Sequence, residues 1–477
     1  MSQETTNNLE RENKKWYQKL PHPYILLFLI VILSTMLTYI IPAGQFEREE
    51  VDGRTVVVAG TFEYIEQTPV GPFDMFKAIP EGLVGAADVI FIVFIAGAMF
   101  HTLQSTGAIE NGVGVLVKKV KSDKGISDTK IIWLLTFIFG LLGAVVGFEN
   151  NIALIPIGVI LGLAMGFDLM TGAGMTIAGI GLGFATSPIN VYTVGVSHGI
   201  AELPVFSGFW LRSAFMLACM AVLAHHISKY AAKVKADPEK SLVKGIDTSD
   251  MKLSKSVEEY ELTGTHKAVL MVLLGIILVI VWGTLQHAWY IAEISTVFLV
   301  GTIIAGLIAR YSADEILNTM LKGAADLTKG ALIIGVAMGI SIVLSQGNIQ
   351  DTIAYNLATP LENFPPLISG MLMALVHGVI NFFLPSGSGQ AMATMPIMVP
   401  ISDLVGITRQ TAVLAFQIGD GIMNLMIPTL GGLLAMLALA RIPFEKWFKF
   451  VFPLMVKVVL VGWVFTAIAV FINWGPA

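Results

Sequence analysis

Two carboxylates stand in the middle of long apolar runs. Glu149 belongs to Gly147-Phe148-Glu149-Asn150-Asn151, and Asp420 to the stretch from Gln417 to Asn424. A carboxylate at the centre of a bilayer costs about 2.5–3.5 kcal/mol on insertion scales, so such a residue normally lines a site or pairs with a cation. The basic residues within apolar runs, Arg212, Lys329 and Lys457, all lie in other segments. Further polar groups gather around the two acids. Asn150 and Asn151 follow Glu149; Thr186, Ser187 and Asn190 surround Pro188; Ser386, Gly387, Ser388 and Gln390 follow Pro385; Asn424 and Thr429 follow Asp420. Taken singly, Thr186, Ser187 and Thr429 have a plainer use, bonding to the turn behind them or bridging to a neighbouring helix, and Gly387 need only be a turn residue. As a set they describe a binding site for a small charged molecule. Two acids with no basic residue at the breaks suit a cationic substrate or a coupling cation. The alternative keeps a dicarboxylate or short-chain carboxylate as substrate and gives the acids to Na⁺ or H⁺ coupling, with a Na⁺ near Asn150, Asn151 and Ser388.

These residues need a membrane around them. Of 477 residues, 55% are hydrophobic and only 13% charged, and the mean hydropathy is +0.76. A soluble chain carries roughly 25% charged residues. Cys219 is the single cysteine, so there is neither an internal disulfide nor a thiolate metal cluster. His101, His198 and His377 lack metal-ligand spacing, and the glycines of Gly179–Gly183 lack the strand that a nucleotide loop requires. No nucleophile–base pair is recognisable. The chain reads as neither an enzyme nor a nucleotide- or nucleic-acid-binding protein, with no cofactor beyond a coupling ion.

Spanning helices need about 20 mostly apolar residues. Such runs follow a polar tail, 1–21, and two of them, 131–167 and 366–406, are too long for one crossing and carry a polar, Gly-containing break. Lys and Arg crowd the tail, 105–130, the linker 231–265 and the segment after 440, whereas 201–206, 286–290 and 347–365 have neither. Basic loops mark the cytoplasmic side. The sides agree only if both long segments return to the face they left. Each is then a re-entrant helical hairpin, leaving nine full spans with the N-terminus inside. A channel needs no such hairpins.

The sequence also repeats itself. Ser105-Thr106-Gly107-Ala108-Ile109 matches Ser345-Gln346-Gly347-Asn348-Ile349, and the same offset of 240 relates Gly147 to Gly387, Pro156 to Pro396, Gly181 to Gly421 and Pro188 to Pro428. An odd number of steps between equivalent elements turns the second copy upside down. The expected organisation is a first repeat over 22–230, with a hairpin at 131–167 and a broken helix at 169–200. The linker 231–265 leads to 266–477, an extra span and a second repeat with a hairpin at 366–406 and a broken helix at 409–439. Pro188 and Pro428 remove an internal hydrogen bond, and the exposed N-termini suit a carboxylate while freed carbonyls suit a cation. Inverted repeats with discontinuous helices are a signature of secondary transporters. The fold class is an all-α polytopic membrane protein.

At Gly147–Asn151, at Thr186-Ser187-Pro188-Ile189-Asn190 and at Leu384-Pro385-Ser386-Gly387-Ser388-Gly389-Gln390 the chain resembles the YfcC-like branch of the four-carbon dicarboxylate anaerobic carrier family, within the ion transporter superfamily. The resemblance runs from about residue 20 to the end. It implies a homodimer with an elevator-type transport domain built from hairpins and broken helices. It also implies basic amino acid antiport for this branch, with dicarboxylates carried by other relatives.

Overall fold

The structure, a computed structural model, describes residues 23–51, 54–122, 127–251, 254–287 and 289–475. The tail read as cytoplasmic, 1–21, lies outside the described residues. Helix α1 covers Pro23–Ile40, α2 Pro72–Gly85, α3 Ala87–Ser105, α4 Ala108–Ser122, α5 Asp128–Val146 and α6 Ile155–Ala164. A helix over 169–186 (α7) contains a π-helical turn at Gly174–Ala178, and a second piece over 191–200 (α8) follows. Then come α9 Phe209–Ala236 and α10 Gly264–His287. The second half runs α11 Ile291–Ile308, α12 Ala313–Asp326, α13 Thr328–Gln346, α14 Gln350–Ala358, α15 Pro366–Phe383, α16 Gly387–Val405, α17 Arg409–Met423, α18 Gly431–Leu439 and α19 Phe444–Phe471.

The chain is mostly helical rather than wholly so. Two short antiparallel ribbons occupy the connection after α1: Gly44–Gln45 pairs with Glu63–Tyr64, and Arg48–Val51 with Arg54–Val57. They are held to α14, 300 residues on. The Phe46 N–H donates to Asp351 Oδ2 at 3.1 Å, Arg48 reaches the same carboxylate at 2.8 Å, and Phe62 stacks on Tyr355 at 4.1 Å. The helix α9 also extends to Ala236, so the start of the stretch read as a linker is helical.

Among the described residues nine helices are long and apolar enough to cross a bilayer. They are not the nine spans expected from the sequence. They include Asp128–Val146 and Pro366–Phe383, which the sequence assigns to hairpins, whereas 24–40 is a shorter apolar helix and 409–439 is interrupted at 424–430.

Each interruption has a local cause. Helix α5 starts on a Ser127 cap, whose Oγ accepts from Lys130 N at 3.4 Å, and stops at Gly147, where φ is +112°. A side chain at that backbone angle would clash, so glycine is required. The chain then turns through a 3₁₀ segment, Glu149–Leu154, into α6. Helix α7 stops at Thr186 ahead of Pro188, and Asn190 caps the next piece, its Oδ1 accepting from Tyr192 N at 2.9 Å and Thr193 N at 3.2 Å. In the second half Ser386 caps α16, and α17 ends before Pro428.

Helices α1–α9 and α11–α19 follow the same order, and their packing is reciprocal. Helix α2 packs on α13 while α12 packs on α3; α5 packs on α7 as α15 does on α17; α1 meets α13 as α11 meets α3. Matched glycines permit this. A Cβ on Gly82 would lie 2.3 Å from Gly335 O, and one on Gly323 2.3 Å from Gly97 O. In the other layer, a Cβ on Gly143 would lie 2.0 Å from Ile180 O, and one on Gly419 2.3 Å from Ala374 O. Backbone cannot yield as a side-chain tip can. Gly143→Val and Gly419→Val should therefore each destabilise the protein by about 1–3 kcal/mol, read as a lowered thermal midpoint in detergent. Gly275→Val, which meets nothing within 4 Å, should leave it unchanged. Equal midpoints for all three would refute the backbone-contact account.

Candidate functional site

The turns that follow α5 and α15 and the helix breaks after α7 and α17 converge on one cavity of about 300 Å³. From the first half it is lined by Gly147, Phe148, Glu149, Asn150, Phe184 and Tyr192, and from the second by Pro385, Ser386, Gly387, Ser388, Asn424 and Thr429–Gly432. The opposite wall comes from the start of α3 with Asp88, the start of α11 with Tyr290, and Ile334 and Met338 on α13. Its size falls at the small end of ligand pockets, roughly 300–1,000 Å³, which suits a small metabolite. Among the described residues, its lining holds two carboxylates, Asp88 and Glu149, two tyrosines and no Lys, Arg or His.

The polar residues singled out in the sequence divide into two groups here. Glu149, Asn150, Ser386, Gly387, Ser388, Asn424 and Thr429 line the cavity. Asn151, Thr186, Ser187, Asn190, Gln390 and Asp420 do not, and most of these satisfy backbone at the breaks. Asn151 Nδ2 donates to Gly147 O at 2.6 Å, beside the Asn150 Nδ2 bond to Val146 O at 2.8 Å, so the two asparagines cap the end of α5. Ser187 Oγ donates to Ala144 O at 2.8 Å, Thr186 Oγ1 to Leu182 O at 2.7 Å, and Gln390 Nε2 to His377 O at 2.8 Å. The carbonyls of Ala144, Val146 and Gly147 are those that α5 leaves open at its end, whereas Thr186 bonds back within its own helix and Gln390 to the interior of α15.

Free acceptors remain. Asn150 Oδ1 and Thr429 Oγ1 are buried without a hydrogen-bond partner, although both residues line the cavity. Asp420 is fully buried, and neither carboxylate oxygen has a partner. It lies behind the first turn of α16, since a Cβ on Gly387 would be 3.6 Å from Asp420 Oδ2 and 2.8 Å from Thr193 Cγ2. Thr193 Oγ1 is likewise unpartnered, as is Oδ1 of Asn381, whose Nδ2 donates to Asp420 O and to Asn424 Oδ1. The Asp420 oxygens and Asn381 Oδ1 are acceptors left without a donor, while the Thr193 hydroxyl can donate as well as accept.

Glu149 packs on the start of α18, where no side chain caps the helix: a Cβ on Gly432 would be 2.8 Å from Glu149 Oε1. The positive end of a helix stabilises a nearby carboxylate. Asp88 stands exposed in the first turn of α3, ahead of an apolar run, and is a cavity residue that the sequence reading passed over. Tyr192 and Tyr290, whose rings are 5.0 Å apart, had no signal: Tyr290 sits in a short connection 98 residues beyond Tyr192.

A chamber between discontinuous apolar helices is the arrangement of a carrier. Residues 20–471 match the family model described as C4-dicarboxylate anaerobic carrier, DcuC, and the chain belongs to that family. It is 30% identical, over 92% of its length and 94% of the relative's, to an Escherichia coli protein named "Putative basic amino acid antiporter YfcC". It is 27% identical to an uncharacterised protein of Haemophilus influenzae, over 95% of this chain and 97% of that one. Two solved transporters align at lower similarity. The YdaH transporter of Alcanivorax borkumensis aligns at 15% identity and a TM-score of 0.45, over 96% of this chain and 100% of that one. MtrF of Neisseria gonorrhoeae, described among antimetabolite efflux pumps, aligns at 16% and 0.46, over 95% and 96%. The chain is thus a multi-pass membrane transporter and not an enzyme.

If Glu149 must stand where it does, Gly432→Ala should act like a site mutation. Its methyl group would displace the Glu149 carboxylate, and transport should fall at least tenfold while the thermal midpoint holds within a few degrees. Wild-type uptake by Gly432→Ala would show that the position of Glu149 is immaterial.

Proposed function

We propose that the protein is a secondary active transporter exchanging basic amino acids of the arginine and ornithine type by alternating access. The observation that carries this reading is the cavity lining, with Asp88 and Glu149 and no cationic side chain. A cationic group meets two acids and two tyrosine faces there, and guanidinium and ammonium groups bind aromatic faces as well as carboxylates. The α-carboxylate has its own place at the start of α16, a 19-residue helix whose first residues, Gly387 and Ser388, line the same cavity. A dicarboxylate would meet an acid at either helix start, Glu149 at α18 and Asp420 behind the first turn of α16, whereas an amino acid brings a cation for them.

Alternating access follows from two inverted repeats, and the reciprocal packing of α1–α9 and α11–α19 supports them. On this reading 22–230 and the part of 266–477 after α10 are the repeats, 131–167 and 366–406 the re-entrant hairpins, and 169–200 and 409–439 the broken helices. The hairpins, broken helices, α9 and α19 form an elevator-type transport domain, with the remaining spans as a homodimeric scaffold. On this reading the chain sits in the cell membrane, and the Lys and Arg distribution supports an N-terminus and a 231–265 linker in the cytoplasm. The unpartnered oxygens of Asp420, Thr193 and Asn381 give the coupling ion, H⁺ or Na⁺, a place apart from the substrate.

Purified protein in liposomes loaded with unlabelled ornithine should take up labelled arginine, with stimulation by the internal substrate. Glu149→Gln and Asp88→Asn should each raise the KM for arginine at least tenfold, about 1.4 kcal/mol of binding. Exchange of labelled succinate in succinate-loaded liposomes, without arginine exchange, would reverse the assignment. The acids would then belong to the coupling cation.

A further inference from the structure

Arg212 is fully buried near the start of α9, and among the described residues no carboxylate pairs with it. An unpaired ionisable residue at membrane depth calls for a functional explanation. Its Nη1 donates to Gln417 Oε1 at 2.7 Å and its Nη2 to Gln410 Oε1 at 2.8 Å, and the Trp474 ring lies 5.0 Å from its guanidinium carbon. The nearby His198 does not accept from it. His198 Nδ1 accepts from Phe206 N at 3.0 Å, so in the neutral ring the proton is on Nε2, which donates to Gln410 Oε1 at 3.3 Å. The 3.4 Å approach of Arg212 Nη2 to His198 Nε2 is a contact of two donors.

Directionality is what makes this arrangement informative. Arginine has donors only, so it fixes the amide of Gln417 with the oxygen facing the guanidinium and the nitrogen facing away. That nitrogen donates to Ser187 O at 2.7 Å, at the break between α7 and α8. Ser187 Oγ in turn donates to Ala144 O at 2.8 Å, in the last turn of α5, five residues before Glu149. Gln417 also stands one turn before Asp420 on α17. One chain of oriented bonds therefore runs from Arg212 through the second broken helix and the break of the first to the foot of the first hairpin tip.

We propose that Arg212 is a positioning residue for the transport site, setting the Gln417 amide and through Ser187 holding the first hairpin tip, with Glu149, in register with Asp420. The inference rests on the reading of the cavity as the substrate site, though not on which substrate it takes.

Gln417→Glu and Gln410→Glu test it as a matched pair. Each places a carboxylate on the guanidinium, but only the first removes the donor to Ser187 O. Uptake is scored with whichever labelled substrate the wild-type protein exchanges, arginine or succinate, so a failed substrate assignment stays separate from a failed inference. Gln417→Glu should raise KM at least tenfold with an unchanged or higher thermal midpoint, while Gln410→Glu keeps a KM within twofold of wild type. Arg212→Lys, which keeps the charge and loses the planar fork, should fall between. Equal KM values for the two glutamate variants, whether both raised or both normal, would overturn the inference. The first result would assign Arg212 a purely electrostatic role and the second a purely structural one.

Discussion

The structure depends on one constraint: backbone that leaves the helix inside a membrane must find every hydrogen bond within the protein. The turn at Gly147 exposes the last carbonyls of α5, and Asn150, Asn151 and Ser187 cover three of them. The break at Pro188 exposes the first amides of the next helical piece, and Asn190 takes two. Ser386 does the same service for α16. Small polar side chains are thus concentrated around the cavity because the cavity is where helices end. This concentration says as much about folding as about ligands.

That double use sets how much of the site is legible in the sequence. Proline, the Gly147 turn and the run lengths of 131–167 and 366–406 located the interruptions, because each is a local backbone property. The helix order of α1–α9 returns in α11–α19. The target of a polar side chain is not local. Nothing in Thr-Ser-Pro-Ile-Asn tells whether Ser187 faces a ligand or the carbonyl of Ala144, 43 residues earlier. The opposite wall was hidden for the same reason. Asp88 and Tyr290 reach the cavity only through the packing of α3 and α11 against elements far along the chain. The two ribbons near Asp351 escaped a hydropathy reading because they are short and polar.

Charge separates recognition from scaffolding more cleanly than polarity does. Helix ends provide partial charge of a fixed sign wherever a helix breaks, and any carboxylate-bearing molecule can use them. They are generic to a carrier built from hairpins, so they leave dicarboxylates and amino acids equally acceptable. Full charges are not generic, because each one costs energy to bury. In this chain Glu149 is half-buried on the cavity wall and Asp88 is on it but exposed, whereas Arg212 is sealed behind Gln410, Gln417 and Trp474.

The side of the wall on which each charge sits therefore bears on substrate more than the family description does. A carrier shaped for two carboxylates would gain most from a guanidinium in the cavity, and in this chain Arg212 lies outside the cavity, engaged on Gln410 and Gln417. With Arg212 engaged on glutamine oxygens, its charge reaches the cavity only through the orientation of dipoles, while the acids act directly. An arrangement of that kind repels a dianion at its walls, and the starts of α16 and α18 that could take a carboxylate each have an acid beside them that calls for a cation. A molecule carrying one carboxylate and a distal cation fits both conditions. On the proposed reading, selectivity between the two substrate classes thus comes from the placement of three charges on an otherwise shared framework.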